Sequence, residues 1–201
     1  MAEPAPTPPS RRLSPDMIAA LSAVVIGVCA LGVSLYQAAV MRGQQEIMQA
    51  QQDAMVWPFL EVGPSLNSRG FHIDVANQGI GPARVRAARV TVDGAPVRFW
   101  DEALDALFGE GTGARGAFGW STLRGRVIPP DGNVQVLFLA PGAGADSAFA
   151  AVDRLGAEVC YCSVYDACWT ARLGFATEPE PTDDCAHIPE AERFEYFERG
   201  A

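Results

Sequence analysis

The sequence predicts a mainly β protein on a membrane anchor: an N-terminal transmembrane helix and helical stalk, then a β-sandwich with one or two short inserted helices. Three observations predict it. Residues 17–41, which begin at Met17 and end at Met41, run for 25 positions without a charged side chain. At about 1.5 Å per helical residue, such a helix crosses a hydrocarbon core of about 30 Å with a turn or two to spare. Beyond Trp57, the strongest segments alternate apolar and polar residues, the period of a strand with one buried face. Turn-forming clusters separate them, at Asn77-Gln78-Gly79, Asp93-Gly94 and Pro129-Pro130-Asp131-Gly132. The chain accordingly divides into a cytoplasmic head (1–16), a span (17–41), a stalk (42–57), a sandwich domain (58–176) and an acidic tail (177–201).

The head is rich in proline and has no periodic apolar face, which predicts disorder. The span is longer than the apolar region of a cleaved signal peptide, and Tyr36-Gln37-Ala38-Ala39 fits a small-x-small cleavage site poorly. Val28 before Cys29 is too bulky for a lipoprotein signal, and Ser14-Pro15 after Arg11-Arg12 break a twin-arginine pattern. The segment therefore reads as a permanent anchor in contact with the lipid bilayer. Arg11 and Arg12 precede it and Arg42 alone follows closely, so the positive-inside bias puts the N-terminus in the cytoplasm. The C-terminal domain then lies outside the plasma (inner) membrane, periplasmic or extracellular. Ala19, Ala23 and Gly27 recur every four residues, as do Ala30, Ser34 and Ala38. Such rows let two helices approach closely and would allow a homo-oligomer through span and stalk.

Val33, Val40, Ile47 and Ala54 lie seven apart, but Gln44 and Gln51 occupy much of the other seam, so the continuation reads as a stalk rather than a zipper. Pro58 ends it and leads into the folded body through Trp57 and Phe59. Phe71, Ile73 and Val75 alternate with His72 and Asp74, which predicts a strand with His72 pointing outward. Residues 83–92 form the next strand, and a change of apolar parity predicts a bulge near Ala87-Ala88. Arg84, Arg86 and Arg89 would decorate its exposed side. A short amphipathic helix, with Trp100, Ala103, Leu104, Leu107 and Phe108 on one face, stops at Gly109. Residues 111–116 match G-x-G-x-x-G by letter, but a helix precedes them where a dinucleotide site needs a strand. Strands are expected over 120–128 and 133–140, a second helix over 147–155, and a cysteine-rich hairpin over 158–174 that turns at Asp166-Ala167.

All 15 basic residues are arginine, which removes Schiff-base catalysis and P-loop phosphate binding through lysine. A net charge of -9 argues against nucleic acid or an anionic lipid surface as a partner. Residues 178–201 carry eight acids against Arg193 and Arg199, the composition of a solvated acidic terminus.

The turn Asn77-Gln78-Gly79-Ile80-Gly81-Pro82, the strand ending in Asp93-Gly94, and Pro129-Pro130-Asp131-Gly132 before a strand resemble immunoglobulin-like β-sandwich modules of the adhesion kind. A stalk followed by Trp57-Pro58-Phe59-Leu60-Glu61 also resembles a group of uncharacterised bacterial single-pass membrane proteins. The resemblance implies a binding or scaffolding role, since function resides in sites and not in folds.

Cysteines are the one constellation with chemical potential. Cys160, Cys162, Cys168 and Cys185 lie in the body, where an exported domain would form disulfides. Cys160 and Cys162 share a strand face and make poor partners for each other. A three-residue turn would let Cys168 bridge the hairpin, and Cys185 could staple the tail to the sandwich. The alternative is a zinc or thiol-redox module using Cys160, Cys162, Cys168 and either Cys185 or His187, at a spacing unlike paired C-x2-C hooks. No C-x-x-C stands at a helix start, and Ser163, Asp166, His72 and His187 lie in no catalytic motif. The expected function is a non-enzymatic, cofactor-free binding or assembly module for a protein partner in the cell envelope.

Overall fold

The computed structural model describes residues 15–109, 117–174 and 177–195. Most of the head and the whole glycine-rich stretch 111–116 lie outside them. The chain divides into two compact units between Gln51 and Gln52.

The first unit is most of a single helix, α1 (Pro15–Met55). Within it, Asp16–Gln45 is long and apolar enough to cross a membrane, and its side chains are exposed along its length. The hydroxyls of Ser22 and Ser34 donate to the carbonyls of Ala19 and Ala30, at 2.8 and 2.9 Å. A polar group on an apolar helix is thereby satisfied by the helix itself.

The second unit holds two antiparallel sheets around one core. In the first sheet, β1 (Leu60–Asn67), β2 (Gly70–Asn77), β7 (Asn133–Leu139) and β5 (Phe118–Trp120) lie side by side in that order. The second runs β10 (Glu180–Thr182), β9 (Cys168–Arg172), β8 (Leu155–Cys162), β3 (Ala83–Val92), β4 (Ala95–Val97). A short β6 (Val127–Ile128) also pairs with β3. Leu60, Val62, Ile73 and Val75 from one sheet and Val90, Val159, Tyr161 and Ala171 from the other belong to one buried cluster. Alternating apolar residues on both sheets bury their faces against each other, the driving force for a two-layer β architecture. The Tyr161 hydroxyl ties the layers by accepting the backbone N–H of Leu60 at 3.1 Å.

The helix α2 (Trp100–Phe108) matches its expected bounds and buries Trp100, Ala103 and Leu104. Four expectations shift. The expected strand over 120–128 is two short pieces in different sheets, β5 and β6. Between them, the N–H of Arg126 closes a turn on the carbonyl of Leu123 at 3.1 Å, so the chain crosses layers there. The second inserted helix, α3 (Ala143–Ala150), starts and ends earlier than expected, and Leu155, its expected end, is instead taken into β8 opposite Val92. The ladder between β3 and β8 slips between Val85 and Ala87, slightly before the expected bulge. His72 points into the protein, not outward, and is only 4% exposed. Its Nε2 lies 3.4 Å from Asp74 Oδ2. Burial pushes the Asp74 carboxyl up, against the weaker pull of His72 and Arg69.

Asn77 locks the start of the domain. It is 1% exposed, and its Oδ1 accepts the N–H groups of Phe59 (3.2 Å) and Gly79 (3.0 Å). Its Nδ2 donates to the carbonyls of Gly81 (2.8 Å) and Ile128 (3.0 Å). The N–H groups of Ile80 and Gly81 both reach the Trp57 carbonyl at 3.1 Å. This close approach requires glycine at 81, where an added Cβ would stand 1.8 Å from the Val56 carbonyl oxygen.

Candidate functional site

The cysteine hairpin is built by β8 and β9, with Cys162 directly opposite Cys168 and Cys160 opposite Thr170. The loop between them holds residues 163–167, longer than the two or three expected, and the N–H of Ser163 donates to the Ala167 carbonyl at 2.8 Å. Asp166 sits at φ 63°, a left-handed conformation that aspartate tolerates. An odd loop length keeps Cys162 and Cys168 on one face, as the parity argument requires. They form a disulfide across the hairpin with Cα atoms 4.0 Å apart. Cys160, two residues earlier on that face, bonds Cys185 with Cα atoms 5.7 Å apart.

This second bridge holds the acidic tail on the sheet. Beside it, Ile188 is buried against Ala87 and Cys160, and β10 adds to the edge of β9. Phe194 is buried in the main core and meets Trp100 edge-on, with ring centroids 5.0 Å apart. Much of the stretch read as a solvated terminus is therefore docked. The sequence marks it only by isolated Cys185, Ile188 and Phe194 among acids.

With all four sulfurs in disulfides, none is left as a thiolate to hold a metal. His187 is occupied too: Nε2 lies 3.2 Å from Thr170 Oγ1 and Nδ1 lies 3.2 Å from the Asp184 carbonyl. Among the described residues, no three His, Cys, Asp or Glu side chains converge as a metal site. Cys29, in α1, is not bridged. Ser163 and Asp166 have structural partners: the serine hydroxyl accepts the N–H of Tyr165 at 3.2 Å, and Asp166 pairs with Arg84 and with Arg86 (3.2 Å).

The arginines of β3 are thus cross-strand ties. Arg89 pairs with Glu158 and with Glu192 at 2.8 Å, while Arg172 reaches Glu158 at 3.0 Å and Glu180 at 2.7 Å. Burial pushes the Glu158 carboxyl up, but hydrogen bonds from Arg172 and Arg89 outweigh it and hold the group below the usual carboxylate range. At the hairpin tip Val164 and Tyr165 are exposed, as is Val127 on β6, which pairs with Arg84 of β3.

Comparison with protein-family models, with curated proteins and with solved structures finds no match to this chain.

Proposed function

We propose that this chain is a single-pass membrane protein whose C-terminal, immunoglobulin-like β-sandwich binds or assembles with a protein partner in the cell envelope, without catalysis. The N-terminus is cytoplasmic and the domain faces the periplasm or the cell exterior. The observation that carries the reading is the pair of disulfides, Cys160–Cys185 and Cys162–Cys168, in a domain that follows a helix long and apolar enough to span a membrane. Disulfides persist in oxidising compartments and are rare in the cytosol. Arg11 and Arg12 before the apolar segment support the same orientation. Two antiparallel sheets around one core support the immunoglobulin-like reading, while the likeness to uncharacterised bacterial single-pass proteins rests on the stalk followed by Trp57-Pro58-Phe59-Leu60-Glu61. The small-residue rows in α1 supply a route to self-association. A net charge of -9 disfavours nucleic acid.

The test has two parts. The full chain remains in the membrane pellet after alkaline carbonate extraction. A C-terminal reporter active only outside the cytoplasm gives signal, while one active only in the cytoplasm does not. Release by carbonate, or the reverse reporter pattern, sinks the proposal.

A further inference from the structure

We infer that a cavity lined by Phe99, Trp100, Trp120 and Glu195 is a binding site for a small quaternary ammonium cation. The cavity has a volume of about 280 Å³. Three pieces of chain meet there, and Glu195 joins them. Its N–H donates to the Arg98 carbonyl at 2.9 Å, beside Phe99 and Trp100. Its carboxylate accepts the Thr122 hydroxyl and the N–H groups of Leu123 (2.8 Å) and Arg124 (3.5 Å), just beyond Trp120. The edge-on contact of Phe194 with Trp100 holds the tail at the same place. Glu195 itself takes a left-handed backbone, at φ 58°. That conformation is costly for a residue with a side chain, and the contacts on both sides of it keep it in place.

Trp120 supplies the open aromatic surface. It ends β5, an edge strand of the first sheet, and is 51% exposed, whereas Trp100 is buried. The face of an indole carries the negative side of the ring quadrupole and attracts a cation, more strongly than tyrosine or phenylalanine does.

Glu195 supplies the charge. It is only 5% exposed, yet its carboxylate is held by neutral donors, all of them at Oε2. Among the described residues no arginine side chain pairs with it, whereas Asp93, Glu158, Asp166, Glu180 and Glu192 each have one. Burying a carboxylate without a counter-charge is unfavourable, and a cation in the cavity offsets that cost. Asp101 also lines the cavity but already has an interaction of its own, so the site does not count on it. The net charge of -9 adds attraction for a cation at longer range. A quaternary ammonium suits these walls better than a primary one, because its methyl groups pack on the rings and it brings no N–H donors that need acceptors. Such a group occurs as a free cation and on lipid headgroups. The site goes beyond the proposed assembly role, and its test does not depend on which side of the membrane the domain faces.

The test is isothermal titration of the full-length protein, in a maltoside detergent, with choline chloride at an ionic strength held constant by sodium chloride. Choline binds, and its uncharged isostere 3,3-dimethylbutan-1-ol binds about tenfold more weakly or not at all. Glycerophosphocholine identifies the source: affinity equal to or above that of choline assigns a lipid headgroup, and lower affinity assigns the free cation. Trp120→Leu keeps an apolar side chain, removes the ring and weakens choline about threefold or more. Glu195→Gln removes the charge, keeps an oxygen for Thr122 and Leu123, and weakens choline about tenfold. Trp57→Leu removes an exposed tryptophan that does not line the cavity and leaves binding unchanged. Each variant is checked for both disulfides and an unaltered far-ultraviolet spectrum; if Glu195→Gln misfolds, Trp120→Leu, at an exposed position, decides. Heat no different from that of sodium chloride, equal binding of the uncharged isostere, or undiminished binding by the folded Trp120→Leu protein overturns the inference.

Discussion

Removing the Cys160–Cys185 bridge should cost more stability than removing Cys162–Cys168, although the latter closes the hairpin itself. The bridges span 25 and 6 residues of sequence respectively. A cross-link acts mainly on the unfolded chain, by removing loop-closure entropy, and the effect grows with the logarithm of loop length. For these separations it amounts to about 3.5 and about 2.2 kcal/mol at 25 °C. The perturbation is the paired substitution Cys160→Ala with Cys185→Ala, and separately Cys162→Ala with Cys168→Ala, so that no single thiol is left to mispair. In a domain of this size, 3.5 kcal/mol corresponds to a melting temperature lower by about 7 to 14 °C. The outer bridge also holds the tail on which Ile188 is buried, which adds to its share. Urea unfolding of the full chain in detergent, followed by tryptophan fluorescence, gives both free energies. The reasoning fails if the short-loop pair proves the costlier to lose, or if neither pair shifts the midpoint.

Three further outcomes follow from buried and half-buried polar groups. Asn77→Ala should destabilise the domain by about 3 to 5 kcal/mol in urea titrations, because two N–H donors and two carbonyls lose their partner at a buried site. Burial pushes the Tyr161 hydroxyl up to about 12, with the Leu60 N–H pulling weakly the other way. Folding therefore favours the neutral phenol, a contribution complete below about pH 10 and lost as pH rises towards 12. Tyr161→Phe should flatten the stability profile over that window and cost about 1 to 3 kcal/mol below it, through the unpaired N–H. The lowered Glu158 carboxyl has the opposite sign: its contribution is present above the usual carboxylate value and lost as pH falls through the folded one. Glu158→Gln should therefore reduce stability at neutral pH by about 1 to 2 kcal/mol and make acid unfolding shallower, measured by circular dichroism between pH 2 and 7.

How much of this was legible depended on whether a local pattern decided the structure. The span was readable because composition alone makes a helix that can cross a membrane. The β3 strand was readable because its apolar residues alternate on either side of one parity change, and α2 because its apolar residues recur at helical spacing up to Gly109. The β1 strand was not, since Gly63 and Pro64 interrupt it; it tolerates proline because it is an edge strand. His72 was misplaced because period-two reasoning assumes one solvated face, while this part of β2 is buried on both. At the cysteines, strand parity excluded a Cys160–Cys162 bond and pointed Cys185 at the sheet, but the choice between disulfide and metal needed spatial pairing.

The most direct test of the account is labelling of intact cells with a membrane-impermeant thiol reagent, with and without prior reduction, read on Cys160, Cys162, Cys168 and Cys185. The account predicts that these four become reactive in intact cells only after reduction, which places a disulfide-closed domain outside the plasma membrane. Labelling that needs no reductant, and appears only once that membrane is broken, would put a reduced domain in the cytoplasm and contradict the account.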